Sequence, residues 1–317
     1  LGQSRQDCGE NEALVSADGI KLEQVRDKVS WLASLKGKGM IARITGAALR
    51  GVLVALVVAT PALTLPSVSI DSSQATVFIS LIAAVMVFLE YYSDSPSIVE
   101  FRDAAPVNRL RFFALFATVL ILSLIGKGMA EPTDFTEALT SIGTIVGSGF
   151  DFAFSPVRLV VLMLPAGTDV ELTQTVRAAA GISCLISVLA VSAFVFLVRV
   201  RGWPTPGSFF NLWVNLPLFN PTAGPEMLHR LRRDAWLNIA FGFLLPFVIP
   251  AVVKAVADLI DPFMLQNPQT LIWTLTAWAF FPANMIMRGI AMQRIAEIAR
   301  DQRKRAFTTS EGELRVI

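Results

Sequence analysis

Apolar residues in this chain gather into long unbroken runs, with polar residues confined to short intervals between them. Neither the strict alternation of a half-buried strand nor the 3.6-residue stripe of a surface helix describes them. Six runs, near residues 47–65, 76–92, 110–129, 178–198, 235–257 and 270–287, approach the roughly 20 residues that cross a ~30 Å hydrocarbon core at 1.5 Å per residue. Each predicts a membrane-spanning helix. Pro61 interrupts the first near its far end, where the Thr60 hydroxyl could take a carbonyl that proline releases. The fifth carries Pro246 and Pro250 and is expected to kink or unwind locally, and the sixth carries Pro282 and Asn284.

Residues 134–165 break the pattern. Asp134-Phe135-Thr136-Glu137 reads as a helix start, Gly143, Gly147 and Gly149 as interruptions, and Ser155-Pro156 as a restart. Two halves of about 14 residues are too short to span. A re-entrant or interfacial pair of short helices is expected. The architecture is therefore an all-α polytopic membrane bundle: a tail over 1–46, a six-helix domain over 47–290 and a charged helix and tail over 291–317. In the tail, Leu22, Val25, Val29 and Leu32 recur at helical spacing among lysines and arginines, as in a helix lying on a membrane surface. The first residue is Leu1, and Met40 is a plausible native start.

Charge tests this topology. With six crossings and both ends in the cytoplasm, all of the 27 Lys and Arg fall inside except Lys127, Arg158, Arg177 and Lys254. That is the bias of the positive-inside rule. Were 138–164 to cross once, the basic clusters after it would change sides, which favours re-entry. A bacterial inner membrane is the expected location. Composition agrees: 54% of residues are hydrophobic and 16% charged, with a mean hydropathy of +0.58, against about 25% charged in soluble domains. A net charge of +2 gives no reason to expect nucleic acid as a partner.

The residues also exclude chemistries. His229 is the only histidine, too few for bis-histidine haem, multi-histidine metal sites or a histidine relay. Cys8 and Cys184 have no metal-ligand or redox spacing, so no cofactor is expected. Gly147-Ser148-Gly149 faintly resembles the serine motif of intramembrane proteases, yet lacks the further glycine spacing, and His229 lies on the other side. Arg102-Asp103-Ala104 and Arg233-Asp234-Ala235 read as two solutions to one helix-start problem, not a repeat.

Three sets of residues stand out. Between the second and third runs lies a polar hinge with Glu90, Asp94, Glu100, Arg102, Asp103 and Arg109, more acidic than topology requires and hence a candidate docking loop. Lys254 and Asp258, with Asn284, form a candidate solute or coupling site near the two prolines, since ionisable groups at membrane depth are costly; the position of Lys254 close to the helix end favours a side chain that reaches the headgroups instead. Arg230, Arg232, Arg233, Arg303, Lys304 and Arg305 are candidate contacts to anionic lipid. No catalytic set emerges. The sequence favours an accessory, scaffold or assembly subunit that meets membrane lipids and other membrane proteins or itself, with a small-solute transporter or channel as the alternative. Small-residue runs such as Ala178-Ala179-Ala180-Gly181, which let helices approach closely, support the former.

Overall fold

A computed structural model describes residues 40–66, 70–93, 99–102, 104–165, 167–204, 227–255 and 267–314, the last thirteen as backbone alone. Among them are eight helices and no strand. They are α1 (Met40–Thr64), α2 (Ile70–Tyr92), α3 (Ala105–Ala130), α4 (Asp134–Phe150), α5 (Pro156–Leu162), α6 (Val170–Arg199), α7 (Met227–Ala255) and α8 (Pro268–Leu314). All but α4 and α5 are long and apolar enough to cross a membrane, so the chain is a polytopic helical bundle with six candidate spans. The surface helix expected before Met40 lies outside the described residues.

Side-chain contacts show which helix ends share a face. Arg43, at the start of α1, donates to the Tyr92 carbonyl at the end of α2. Glu100, in the turn after α2, pairs with Arg288 of α8. These ends form what we term the hinge face. On the opposite face Gln269 Nε2, at the start of α8, donates to Thr76 Oγ1 of α2 at 2.9 Å. There too Lys254 Nζ, at the end of α7, donates to the Leu164 carbonyl after α5 at 3.3 Å.

Helix α8 is the central post. Half of its apolar stretch is buried, against 11% for α2 and for α7. It joins two apolar cores. One, toward the opposite face, packs Val57, Leu122, Ile125, Val157, Val160, Ile182 and Leu275 from five helices. The other, toward the hinge face, packs Phe101, Val107, Phe194, Leu231, Met287 and Met292. Lipid tails are as apolar as leucine, so close backbone fit rather than water exclusion must hold such helices together. Where α7 crosses α8, a Cβ on Gly242 would stand 2.7 Å from the Pro282 carbonyl oxygen, and one on Gly289 2.6 Å from that of Ala235.

Three local expectations need correction. Gly143, Gly147 and Gly149 do not interrupt a helix: α4 runs unbroken from Thr133, whose side chain caps the Thr136 amide, to Phe150. Two of those glycines are instead its contact stripe. Gly147 lies over Arg177 and Ala178 of α6, and a Cβ on Gly181 would come 2.5 Å from the Gly147 Cα. Prolines 246, 250 and 282 likewise leave α7 and α8 helical throughout. Pro250 has no N–H for the Pro246 carbonyl, and Trp278 Nε1 of α8 donates to that oxygen at 3.0 Å, removing the reason to unwind. Finally, the Thr60 hydroxyl donates to the Leu56 carbonyl at 2.7 Å, one residue before the carbonyl that Pro61 releases.

The α4–α5 pair is tied to its neighbours at a measurable level. Pro156, at the start of α5, lines the same cleft as Cys184 of α6 and Pro246 of α7. Counting back from the apolar boundaries at Arg177 and Lys254, these positions lie about 10–12 Å inside the apolar stretches. The chain then climbs through α5 to Leu164, level with Lys254.

Candidate functional site

The hinge is a fastened corner. Helix α2 ends with carbonyls that no helical amide can reach. Arg102 fills that place: Nη1 donates to the Glu90 and Ser93 carbonyls at 3.0 and 2.6 Å, and Nη2 to that of Tyr91 at 3.1 Å. A cation at a helix C-terminus is also favoured by the helix dipole. The buried Glu90 carboxylate turns the other way and accepts from the Val99 amide at 2.9 Å, closing the turn.

Phe101 sits at φ 58 with its ring fully buried, a backbone state that costs a bulky residue about 1 kcal/mol or more. It is held there. Asn108 Nδ2 donates to its carbonyl at 2.6 Å, and the Arg111 guanidinium lies 5.5 Å from its ring centroid. Glu100 then pairs in bidentate fashion with Arg288, at 2.5 Å to Nε and 2.8 Å to Nη2. Arg111 is close enough for both charges to act on it. Aromatic stacking completes the corner: Arg50 lies 4.6 Å from the Tyr91 ring centroid, with Arg102 at 5.8 Å.

Of the candidate docking residues, Glu90, Glu100 and Arg102 are therefore engaged within the chain, and Arg109 is exposed. Asp94 and Asp103 lie outside the described residues. Of the candidate solute residues, Lys254 is exposed and donates to the Leu164 carbonyl, whereas Asp258 lies outside the described residues. Asn284 sits on α8, its Nδ2 donating to the Phe280 carbonyl at 3.1 Å and its buried Oδ1 without a partner among the described residues. No described contact brings Asn284 to Lys254. Arg230 and Arg232 are exposed at the start of α7, and Arg233 pairs with Asp234 at 3.3 Å. The side chains of Arg303, Lys304 and Arg305 lie outside the described residues.

A further ionic group had no counterpart in the sequence reading. Asp151, at the C-cap of α4, is almost fully buried. It lies 2.7 Å from Arg177 Nε of α6 and 3.3 Å from Arg158 Nη1 of α5. One carboxylate thus ties three helices. It is an acid stranded between a glycine-rich helix and Ser155-Pro156, in a chain whose few far-side cations include Arg158 and Arg177; that isolation was the available signal.

Between α6, α7 and α8, at mid-length of all three, lies a cleft of about 260 Å³. Cys184, Ser187, Val191, Pro246, Trp278 and Ala283 are among its lining residues, and it opens where Val188 and Phe243 face outward. Ser187 Oγ is already spent on the Ala279 carbonyl at 3.1 Å. Comparison with protein-family models, with curated proteins and with solved structures found no match. Among the described residues no three of His, Cys, Asp or Glu gather as metal ligands would. What the geometry offers is an ion-pinned frame and an apolar cleft facing sideways.

Proposed function

We propose that this chain is a non-catalytic subunit of a bacterial inner membrane, an accessory, scaffold or assembly protein for other membrane proteins, with its hinge face and both termini in the cytoplasm. One observation carries the reading. Its ionised groups fasten helix to helix: Glu100 to Arg288, Arg102 to the end of α2, Asp151 to Arg158 and Arg177. Charges used in this way make a rigid platform, whereas a transport site needs groups that can exchange partners with a solute. Arg109 and the start of α7, with Arg230 and Arg232, are the exposed cationic surface of that platform.

Crosslinking of the gently extracted protein, followed by native mass measurement, tests this. Recovery with other membrane proteins supports it; a protein found only alone, whose stability rises with a solute, overturns it. A transporter or channel is the second reading, favoured by the Asn284 Oδ1 and Thr276 Oγ1 buried on α8, which have no partner among the described residues. It requires that Lys254→Ala, Asp258→Ala or Asn284→Ala abolish a flux while expression is kept.

A further inference from the structure

Beyond the apolar cleft, toward the hinge face, a second cavity lies along the same two helices. Along α6 its lining passes through Cys184, Val188 and Val191-Ser192, and seven residues further on the same helical face reach Val198 and Arg199. Along α8 it passes through Ala279, Ala283 and Ile286 to Ile290, Gln293, Arg294 and Glu297. Those last residues, with Gly202, line the second cavity of about 140 Å³ at the hinge-face end. Both are lined by α6 and α8, and the cleft also by α7 and by Pro156 of α5.

We infer that cleft and cavity together form one groove that holds one anionic glycerophospholipid of the hinge-face leaflet, an acyl chain in the apolar cleft and its phosphodiester at Arg199 and Arg294. Length supports the assignment. From Cys184 to Arg199 is about 22 Å of helix. Half of a ~30 Å core plus the 5–7 Å headgroup region of one leaflet comes to the same distance. Charge supports it too. The end cavity carries Arg199, Arg294 and Glu297, one cation in excess, and the buried Arg294 Nε has no partner among the described residues, although Nη1 reaches Glu297 at 3.3 Å. Cations among phosphates are favourable, and a phosphodiester offers the acceptors that Arg294 lacks.

Because lipid tails compete equally for any apolar groove, the tail cleft sets shape and the arginines set preference. Loss of the arginines should therefore remove selectivity, and loss of the cleft should remove the lipid itself.

The test is native mass measurement of the full chain reconstituted in vesicles of equal phosphatidylglycerol and phosphatidylcholine, then extracted in mild detergent. One bound phosphatidylglycerol per chain is expected, favoured by about five-fold, the factor that ~1 kcal/mol supplies. Arg199→Gln with Arg294→Gln should bring that preference to about one. Ser192→Trp, at an exposed wall position, should remove the bound lipid, while Lys127→Gln, at the opposite-face end of α3, should change nothing. Free glycerol phosphate should not displace the lipid; if it does, the site takes phosphate and not a lipid. Should Ser192→Trp fail to fold, phosphatidylglycerol carrying a photoreactive group in mid-chain must label residues that line the cleft on α6, α7 or α8 of the unaltered protein. Labelling away from the cleft, equal loss with Lys127→Gln, or undiminished retention by Ser192→Trp overturns the proposal.

Discussion

Glu100 should be worth more than its partner Arg288. The carboxylate is 12% exposed and its bidentate guanidinium 24%, so the pair is largely out of water. Removing one member of such a pair strands the other and costs about 3–5 kcal/mol in a fully buried site; the residual exposure points to the lower end, about 3 kcal/mol. Arg111 makes the two members unequal. It feels both charges, and its buried Nε has no partner among the described residues. Glu100→Gln therefore leaves two guanidiniums facing each other without an anion, whereas Arg288→Gln leaves Glu100 with Arg111 still beside it.

Thermal unfolding in one mild detergent at one scan rate measures this, since membrane proteins often unfold irreversibly. About 3 kcal/mol corresponds to a fall of roughly 4–6 °C for Glu100→Gln in a chain of this length. A smaller fall is expected for Arg288→Gln. The double variant should be less harmed than the two losses added, by about 1 kcal/mol or more. If Arg288→Gln costs as much as Glu100→Gln, or if the two losses add, the three-charge account of this corner is wrong.

Three other substitutions probe the remaining fastenings. Arg102→Ala frees the Glu90, Tyr91 and Ser93 carbonyls at the end of α2 and should cost about 1–2 kcal/mol, with Arg102→Lys recovering only part; an unchanged midpoint would remove its capping role. Trp278→Phe keeps an aromatic ring but leaves the Pro246 carbonyl unpaired, so a loss of about 1–3 kcal/mol is expected, and Pro250→Ala in the same chain should recover much of it by restoring an amide to that oxygen. Gly181→Leu should destabilise strongly because the α4 backbone occupies the space, whereas Gly149→Leu, with nothing within 4 Å, should be neutral or slightly stabilising. Equal thermal midpoints for these two leucine variants would mean that α4 does not rest on α6.

The six spans were legible because each is a continuous apolar run, and hydropathy reports that property directly. Their ends were less so. Helix α1 is helical from the first described residue, Met40, and α8 to the last, Leu314, because backbone hydrogen bonding continues past the apolar boundary into polar sequence. The glycines of α4 were misread for a different reason. A glycine that breaks a helix and one that lets another helix touch it are identical in sequence, and only the presence of α6 opposite distinguishes them. Pro250 was ambiguous in the same way, since the donor that satisfies its orphaned carbonyl is Trp278, on the next spanning helix. In the hinge, sequence located the charges but not their partners: Glu100 finds Arg288 on α8, across 188 positions of chain, and no spacing rule reaches that far.

The manner in which α4 and α5 are docked has a bearing on biogenesis. Seventeen residues bearing Asp134 and Glu137, followed by a seven-residue helix, cannot enter a bilayer as an independent span. Their seat consists of small residues on α6 and the ends of α3, and their one buried acid is neutralised by Arg177 of α6 and Arg158 of α5. Neither the α6 part of that seat nor half of the neutralising charge exists until α6 has been synthesised and inserted. The segment can therefore complete its docking only after the next span is made, a late step in which the order of assembly runs opposite to the order of translation.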